Sequence, residues 1–242
     1  MSHVEPSPRE MENLQIPFGR VATFVRQLSH DVRNNLGSMD LQAAYVAELI
    51  HDSEAIEELR KLRGMVTSAA KALQSISRNF QPPKPNLVSL EARILLEDFR
   101  ERLEKQLPAE RPPIEWEVAL GDETICVDIE MIFGALLECC RNALYFHEGT
   151  GPIRLHAFAS AGNLMVELKE QRSAVELPPE TWGQEPFCST RRGGYGLGLF
   201  YAAQILSAHN GAVQFKHDAK SATLTTRVTL PLLPLPLPAA KS

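Results

Sequence analysis

Residues 21–50 read VATFVRQLSHDVRNNLGSMDLQAAYVAELI, and this stretch decides the fold of the first part of the chain. Its apolar residues recur at alternating steps of three and four, which is the spacing of a long amphipathic helix. The predicted helix begins at about Met11 and ends before the short break His51-Asp52-Ser53. Its apolar seam consists of Val21, Val25, Leu28, Val32, Leu36, Met39, Ala43, Val46 and Ile50.

A second amphipathic helix is predicted over about residues 54–80, with Ser53 as its N-cap and Glu54 in its first turn. Two helices joined by so short a turn lie antiparallel. A lone hairpin buries little apolar surface, so we expect two copies to pair into a four-helix bundle, giving a homodimer. The alternative is that the seams pack against the rest of the same chain. The second seam consists of Ile56, Leu59, Leu62, Val66, Ala69, Leu73, Ile76 and Phe80.

The first helix carries the motif Ser29-His30-Asp31-Val32-Arg33-Asn34. His30 lies about 200° around the helix from Leu28, so it is expected to face solvent, and Asn34 lies one turn further on the same face. A neutral imidazole is a good nucleophile toward a phosphoryl group, and Asp31 can hold the other ring N–H as positive charge develops. Asn34 can orient a water or a phosphoryl oxygen. The alternative is that His30 is an ordinary solvated residue.

The composition changes at the Pro-rich stretch 82–86, which predicts a linker after the hairpin at 11–81. Short alternating strands and amphipathic helices over 87–231 predict a mixed α/β sandwich, a sheet with helices on one face. The whole chain is therefore assigned to the α+β class. Residues 1–10 are predicted to form a disordered tail and residues 232–242 a Pro-rich tail.

Local signals place the elements of this second region. Asp128 is the predicted N-cap of one helix, and Asn210-Gly211 ends another that begins at about Tyr195. Residues 170–193 have no clear period and are predicted to form a long loop. The predicted strands are 87–90, 114–118, 125–127, 153–159, 164–168, 213–216 and 224–230, and the predicted helices are 91–106, 128–146 and 195–209.

Two motifs of this region are compatible with nucleotide chemistry. Glu138 and Asn142 lie one turn apart on one helix face, where their oxygens can hold Mg²⁺ and a polarised water; the alternative is a polar stripe. The run Gly194-Tyr195-Gly196-Leu197-Gly198-Leu199 frees backbone amides at the start of a helix to approach an anion. Arg191 and Arg192 before it can clamp phosphate. The alternative is a flexible lid whose glycines serve close packing.

Charge and cysteine usage narrow the functional classes. The formal net charge of −5 gives no electrostatic reason to expect nucleic acid as a partner. No apolar run is long enough to span a bilayer, and the N-terminus lacks a signal peptide, so we expect a cytoplasmic protein without a membrane partner. None of the cysteines forms a C-x-x-C pair, which argues against zinc and favours buried, reduced thiols.

Together these motifs resemble the catalytic core of two-component sensor histidine kinases over roughly residues 20–230. That core has a dimerisation and histidine-phosphotransfer hairpin followed by an ATP-binding domain of the GHKL (Bergerat) type. The motif at residues 29–34 resembles the H box, 138–143 the N box, Phe187-Cys188-Ser189-Thr190 the F box, and 194–199 the G2 box. The order and the spacing of these motifs also agree with the family.

The resemblance implies roles for individual residues and for ligands. His30 would be the phosphoacceptor, Asp31 its acid/base partner and Asn34 the residue used in phosphatase activity. The implied cofactors are ATP and Mg²⁺, and the implied partner is a response-regulator receiver domain. Because no input domain precedes the hairpin in this sequence, we expect the signal to come from a separate sensor protein. The implied nucleotide-site residues are Glu138, Asn142 (Mg²⁺), Phe146 (near the adenine), Gly194, Gly196 and Gly198 (bordering the phosphates).

Departures from the family pattern are concentrated in the G1 box. The family has Asp-x-Gly-x-Gly where this chain has Glu170-Gln171-Arg172-Ser173-Ala174, so Glu170 stands in for the Asp that reads the adenine amino group. Arg172 and Ala174 put side chains where backbone should approach the base, so we expect weak ATP binding or none. In addition, Tyr145 replaces the usual N-box Lys, Glu138 the usual Asn and Asn35 the usual Pro.

Three functions are compatible with this pattern. The first is a working histidine kinase that uses Mg-ATP and phosphorylates His30. The second is an ATP-independent histidine phosphotransferase with a degenerate nucleotide domain, which passes phosphoryl groups between response regulators. The third is a non-enzymatic dimeric interaction protein. The intact H box argues against the third function, whereas the altered G1 box favours the second and the intact G2 box favours the first.

Overall fold

The computed structural model describes residues 17–107, 111–191 and 194–233. The chain divides into two compact units between Pro82 and Pro83, within its Pro-rich stretch. The predicted N-terminal tail, the residues from Met11 to Ile16 and Arg192 lie outside the described residues, as does the C-terminal tail beyond residue 233. Within the described part of the chain, no helix is long and apolar enough to cross a membrane.

The N-terminal unit is a helical hairpin. Helix α1 spans Phe18–Leu49 and helix α2 spans Ser53–Asn79. The predicted N-cap of α2 is wrong by one residue: Asp52 Oδ1 accepts the N–H of Glu54 at 3.0 Å, and Ser53 is already helical. Asp52 is the better cap because its carboxylate also favours the positive end of the helix dipole.

The inner face of α1 follows most of the predicted seam. Ala43 is buried, whereas Leu28 and Met39 are 48% and 57% exposed. The seam residues that are half-buried are Val21, Val25, Val32, Leu36, Val46 and Ile50. Ala22 and Ser29 are buried although they lie outside the predicted seam, because the inner face of a helix is wider than one three-and-four repeat. The large apolar side chains left exposed on the hairpin are Phe24, Leu28, Met39, Leu41, Tyr45, Leu49, Leu62 and Met65.

An ion pair fixes the register of the hairpin. Arg63 of α2 donates to Asp40 of α1 from Nε at 2.8 Å and from Nη2 at 3.2 Å. The hydrogen bond from Arg63 lowers the pKa of the Asp40 carboxyl. The two-point contact gives directional pairing that the apolar contacts alone do not supply.

The C-terminal unit is built on a sheet of five strands in the order β2-β4-β5-β7-β6. Strand β2 runs parallel to β4, and the other neighbours are antiparallel. A separate antiparallel pair joins β1 to β3. The strands are β1 Val88–Glu91, β2 Ile114–Ala119, β3 Thr124–Val127, β4 Ile153–Ser160, β5 Asn163–Gln171, β6 Ala212–Asp218 and β7 Thr223–Pro231.

Three helices pack on one face of this sheet: α3 Ala92–Gln106, α4 Ile129–Phe146 and α5 Gly198–Ala208. Their apolar sides form one core with the inward residues of the central strands, which include Leu155, Val166 and Val228. The predicted α+β class, with a sandwich of one sheet and one layer of helices, is confirmed. Burial alternates along β4 and β7, which is the period of two residues from which these strands were predicted.

Two helix ends follow the predicted signals. Asp128 accepts the N–H of Met131 at 3.0 Å and so caps α4. At the end of α5, Asn210 has φ +57° and the N–H of Gly211 reaches the carbonyl of Leu206 at 2.8 Å. Asn210 therefore takes the left-handed position of a Schellman helix end, and the N–H of Gly211 closes it, as the Asn-Gly signal predicts.

Other predicted bounds are wrong. Strand β5 continues to Gln171, so Glu170 lies in a strand and not in the predicted loop, because it pairs with Leu224 of β7. Helix α5 begins at Gly198 and not at Tyr195, since Gly196 has φ +64° and cannot be helical. The long loop contains a short 3-10 helix at Pro179–Thr181. The thiols differ too: Cys139 and Cys140 are buried, Cys126 is half-buried and Cys188 is exposed.

Candidate functional site

The first candidate site lies in the middle of α1. The His30 side chain is 64% exposed, which agrees with its predicted orientation. Its Nδ1 lies 3.3 Å from Asp31 Oδ1 and 3.3 Å from Asn34 Nδ2, so the three residues of the predicted site are together. Gln27 Nε2 donates to the same Asp31 oxygen at 3.1 Å and steadies the carboxylate.

The two contacts of the imidazole belong to different tautomers. Asn34 Nδ2 is a donor, so it pairs with Nδ1 only when that nitrogen is unprotonated. Asp31 pairs with Nδ1 only when it carries a proton. In the second tautomer the lone pair is on Nε2, and the contacts of the described residues to this ring are all at Nδ1. The ring can therefore present a nucleophilic Nε2 to solvent.

In the C-terminal unit, Glu138 and Asn142 of α4 lie on one face as predicted. Glu138 Oε1 lies 3.2 Å from Arg141 Nη1, and its other oxygen packs against Gly198 at the start of α5. A Cβ at position 198 would meet this oxygen, so the flexible Glu138 side chain would have to move. Among the described residues, no group of three His, Cys, Asp or Glu side chains could hold a metal ion.

The glycine loop has a packing role in this structure. Gly196, with φ +64°, accepts the N–H of Phe187 at 3.0 Å, and a Cβ there would strike the backbone of Phe187 and Cys188. The N–H of Gly194 is also used, by the carbonyl of Arg191 at 3.0 Å. The loop therefore joins the F-box-like segment to the start of α5, which agrees with the packing alternative.

The arginine before the glycine loop is already engaged. The Arg191 guanidinium lies 4.4 Å from the centroid of the Tyr145 ring, so the residue that replaces the usual N-box Lys holds it by a cation–π contact. To bind phosphate as predicted, the Arg191 side chain would first have to leave the Tyr145 ring.

A second cluster forms where β5 and α4 end. Glu170 and Arg172 are nearly fully buried there, with 2% and 6% of their side chains exposed, and Glu170 Oε1 lies 3.7 Å from Arg172 Nη1. The Arg172 guanidinium lies 4.0 Å from the Phe146 ring centroid and 4.9 Å from the Trp182 centroid. We refer to Phe146, Glu170, Arg172 and Trp182 as the arginine cluster.

The charged groups of the arginine cluster are strongly shifted. Burial raises the pKa of Glu170 to about 8, although Arg172 acts in the opposite direction. Burial likewise lowers the pKa of Arg172, with Glu170 opposing. Both Glu170 oxygens and Arg172 Nη1 are buried without a hydrogen-bond partner among the described residues. Glu170 and Arg172 therefore leave part of their hydrogen-bonding capacity unsatisfied in a buried place.

The backbone around Arg172 is held from both sides. Its N–H donates to Ala222 O at 2.8 Å, and its carbonyl lies 2.9 Å from His217 Nε2. The neighbouring Gln171 N–H reaches His147 Nδ1 at 3.2 Å. His147 and His217 thus contact the backbone at Gln171 and Arg172. The arginine cluster itself was not predicted; Arg172 in place of a glycine was its only signal in the sequence.

Known sensor histidine kinases are similar to this chain, although no protein-family model matches it. It is 25% identical over 195 residues, 77% of this chain and 49% of the relative, to the sensor histidine kinase FlgS of Helicobacter pylori (strain ATCC 700392 / 26695). It is 25% identical over 226 residues, 87% of this chain and 62% of the relative, to the sensory histidine kinase/phosphatase NtrB of Vibrio alginolyticus.

A solved structure agrees with the fold. The crystal structure of full-length ShkA in complex with AMPPNP matches 87% of this chain with a TM-score of 0.67 and 21% identity, and the match covers 46% of ShkA. In fold the chain is similar to ShkA, and in sequence it is similar to two sensor histidine kinases. The chain spans 49% and 62% of the length of the two curated relatives. The roles of individual residues stay predictions.

Proposed function

We propose that the chain is a histidine-kinase-like component of a two-component phosphorelay, which is phosphorylated on His30 and passes the phosphoryl group to an aspartate of a response regulator. The observation that carries the proposal is the geometry at His30. The ring is exposed, Asp31 lies at Nδ1, and Nε2 is left for chemistry. The similarity to two sensor histidine kinases supports the same assignment.

The proposed chemistry is a pair of displacements at phosphorus. Nε2 of His30 attacks the phosphorus atom, the Nε2–P bond forms, and the bond to the donor's oxygen breaks. The ring then carries positive charge, which the Asp31 carboxylate stabilises through Nδ1–H. In the second displacement a carboxylate oxygen of the receiver domain attacks the phosphorus and His30 leaves as neutral imidazole. Asn34, whose amide lies 3.3 Å from Nδ1, takes the role of orienting a phosphoryl oxygen or a water in this proposal.

The implied nucleotide does not fit the C-terminal unit as it stands. ATP would supply the phosphoryl group in a kinase, and the related ShkA was solved with the analogue AMPPNP. In this chain, however, the ring face of Phe146 is occupied by Arg172. For Mg²⁺, Asn142 offers a neutral oxygen, and the nearby Glu138 is paired with Arg141 at 3.2 Å. We therefore assign no step of the chemistry to bound ATP.

This observation favours a second candidate function, the ATP-independent histidine phosphotransferase. Such a protein takes its phosphoryl group from one receiver domain and gives it to another, so it needs His30 but no nucleotide. A buried Arg172 is compatible with this function, because a domain that binds no nucleotide does not need an empty pocket. Filling the pocket also covers apolar surface that would otherwise be exposed.

The partners follow from the exposed surfaces. We propose a homodimer formed through the hairpin, because eight large apolar side chains are exposed on its described residues. The further proposed partner is a response-regulator receiver domain. The predicted cytoplasmic location, without nucleic-acid or membrane partners, remains part of this proposal.

One experiment separates the two candidate functions. The purified chain is incubated with radiolabelled Mg-ATP and, separately, with a receiver domain charged by labelled acetyl phosphate. Label that is acid-labile and base-stable after incubation with ATP identifies a kinase. Label that arrives only from the receiver domain identifies a phosphotransferase. Absence of label from both donors, across receiver domains from the same genome, would contradict the proposed function.

A further inference from the structure

The arginine cluster lies at the place where the family resemblance puts the adenine of a nucleotide. Phe146 was the predicted neighbour of the base and Glu170 the predicted reader of its amino group. The structure brings both residues together, but it joins them through a third side chain, that of Arg172. The family resemblance identifies this place as the adenine site, and in the structure the Arg172 side chain lies there.

Arg172 is stacked as a planar ligand would be. Its guanidinium lies over the Phe146 ring at 4.0 Å and over the Trp182 ring at 4.9 Å, so two aromatic faces enclose it. Guanidinium groups stack on aromatic faces much as flat heterocycles do. A purine cannot stack on the same face of Phe146 while the guanidinium is there, because both need the space next to the ring.

The walls of this slot are anchored. Trp182 donates its Nε1–H to Leu177 O at 3.2 Å and contacts the Phe215 ring at 5.4 Å. Gly183, which follows it with φ +74°, packs closely against Leu199 and Ala203 of α5. The tryptophan therefore does not depend on Arg172 alone for its position, and the slot is defined by the fold.

Electrostatics keep the arginine inside. Arg172 is the cation closest to the buried Glu170, at 3.7 Å. Moving the guanidinium into solvent would leave the carboxylate buried beside Glu148, which repels it. The main chain gives no slack either, because the N–H of Ser173 is bound by Glu148 Oε2 at 3.0 Å and that of Arg172 by Ala222 O at 2.8 Å.

We propose that the Arg172 side chain is the resident occupant of the purine slot and that it keeps nucleotide out of this slot. The inference predicts a latent site. Without the Arg172 side chain, the faces of Phe146 and Trp182 and the buried carboxyl of Glu170 become available to a flat heterocycle that carries an amino donor. It does not depend on the role of His30.

The test is calorimetric titration of ADP and AMPPNP, with and without Mg²⁺, into the full chain carrying His30→Gln. Binding is then read without phosphorylation, so failure here is distinct from failure of the proposed function. We expect no heat of binding up to about 1 mM nucleotide for the parent, and binding strengthened at least about tenfold by Arg172→Ala. A matched control is Arg100→Ala, which removes an arginine over Trp116, a ring outside the arginine cluster, and should bind no nucleotide.

Two further variants complete the design. Adding Phe146→Ala to Arg172→Ala should abolish the gained binding, because it removes one ring face. If Arg172→Ala fails to fold, Arg172→Ala with Glu170→Gln removes the buried unpaired carboxylate and keeps an acceptor oxygen. Micromolar binding by the parent chain would overturn the inference. It would also be overturned by a folded Arg172→Ala or double variant that binds no more tightly than the parent.

Discussion

The two candidate sites of this chain differ in almost every physical respect. His30 lies on an exposed helix face, and its polar partners come from its own helix, one and four residues away. Arg172 lies in a buried cluster whose members come from a strand, a helix end and a loop. The first site is open to a macromolecular partner, whereas the second is filled by the protein itself.

The difference teaches that the two chemistries make different demands on a fold. An exposed nucleophile needs only a local motif on an intact helix. A nucleotide pocket needs empty space, and in this chain the Arg172 side chain takes up the space next to the Phe146 ring. We therefore expect substitution of His30 to change activity but not stability, and substitution of Arg172 to change stability.

The largest expected effect is on labelling. His30→Gln should abolish phosphorylation while the protein stays dimeric, since the side chain is 64% exposed and lies outside the buried hairpin face. The measurement is transfer of label, with size-exclusion chromatography and light scattering for the oligomeric state. His51→Gln is the matched control, because it changes another exposed hairpin histidine and should label normally. Sustained labelling of His30→Gln, or its dissociation to monomers, would contradict the account.

The next effect is on stability. Arg172→Ala should lower the free energy of unfolding by about 3 kcal/mol, because it removes a large buried side chain from between two rings and leaves the buried Glu170 carboxyl without its neighbour. Urea unfolding followed by tryptophan fluorescence measures it. Arg100→Ala, an exposed arginine over Trp116, should leave the unfolding midpoint almost unchanged. Equal effects of the two substitutions on the unfolding midpoint would contradict the claim that the buried Arg172 contributes more to stability than the exposed Arg100.

The glycine loop offers a further comparison. Gly196→Ala should cost about 2 kcal/mol, because φ is +64° and the added Cβ meets the backbone of Phe187 and Cys188. Gly134→Ala, inside α4 with open space around it, should instead stabilise by about 1 kcal/mol. Thermal unfolding of both variants is the measurement. An unchanged unfolding temperature for Gly196→Ala would contradict the close packing of Gly196 against Phe187 and Cys188.

The last prediction concerns the pH dependence of stability. The pKa of Glu170 is raised from its ordinary 4.5 to about 8, so the folded chain keeps a proton that the unfolded chain releases. Its contribution is fully present below pH 4.5 and is lost as the pH rises to 8. The wild type should therefore lose more stability between pH 5 and pH 8 than Glu170→Gln does. The nearby groups Arg172, Glu148, His147 and His217 are common to both proteins, so parallel profiles would contradict the assignment.

Much of the fold could be predicted from periodicity. The apolar steps of three and four gave both hairpin helices, and alternation gave strands such as β4 and β5, because burial on one face imposes those periods. The H-box cluster was also predictable, since Asp31 and Asn34 are fixed by helix geometry. What the sequence could not show was the stack of Phe146, Arg172 and Trp182, because its members meet only through the path of a long loop.

The measurement that tests the central claim most directly is the position of the phosphate after transfer from a charged receiver domain. Mass spectrometry of the labelled chain under neutral or basic conditions preserves phosphohistidine and assigns the modified residue. The account predicts a single phosphate on His30, attached through Nε2, the nitrogen remote from Asp31. A phosphate on any other residue, or one attached at Nδ1, would contradict it.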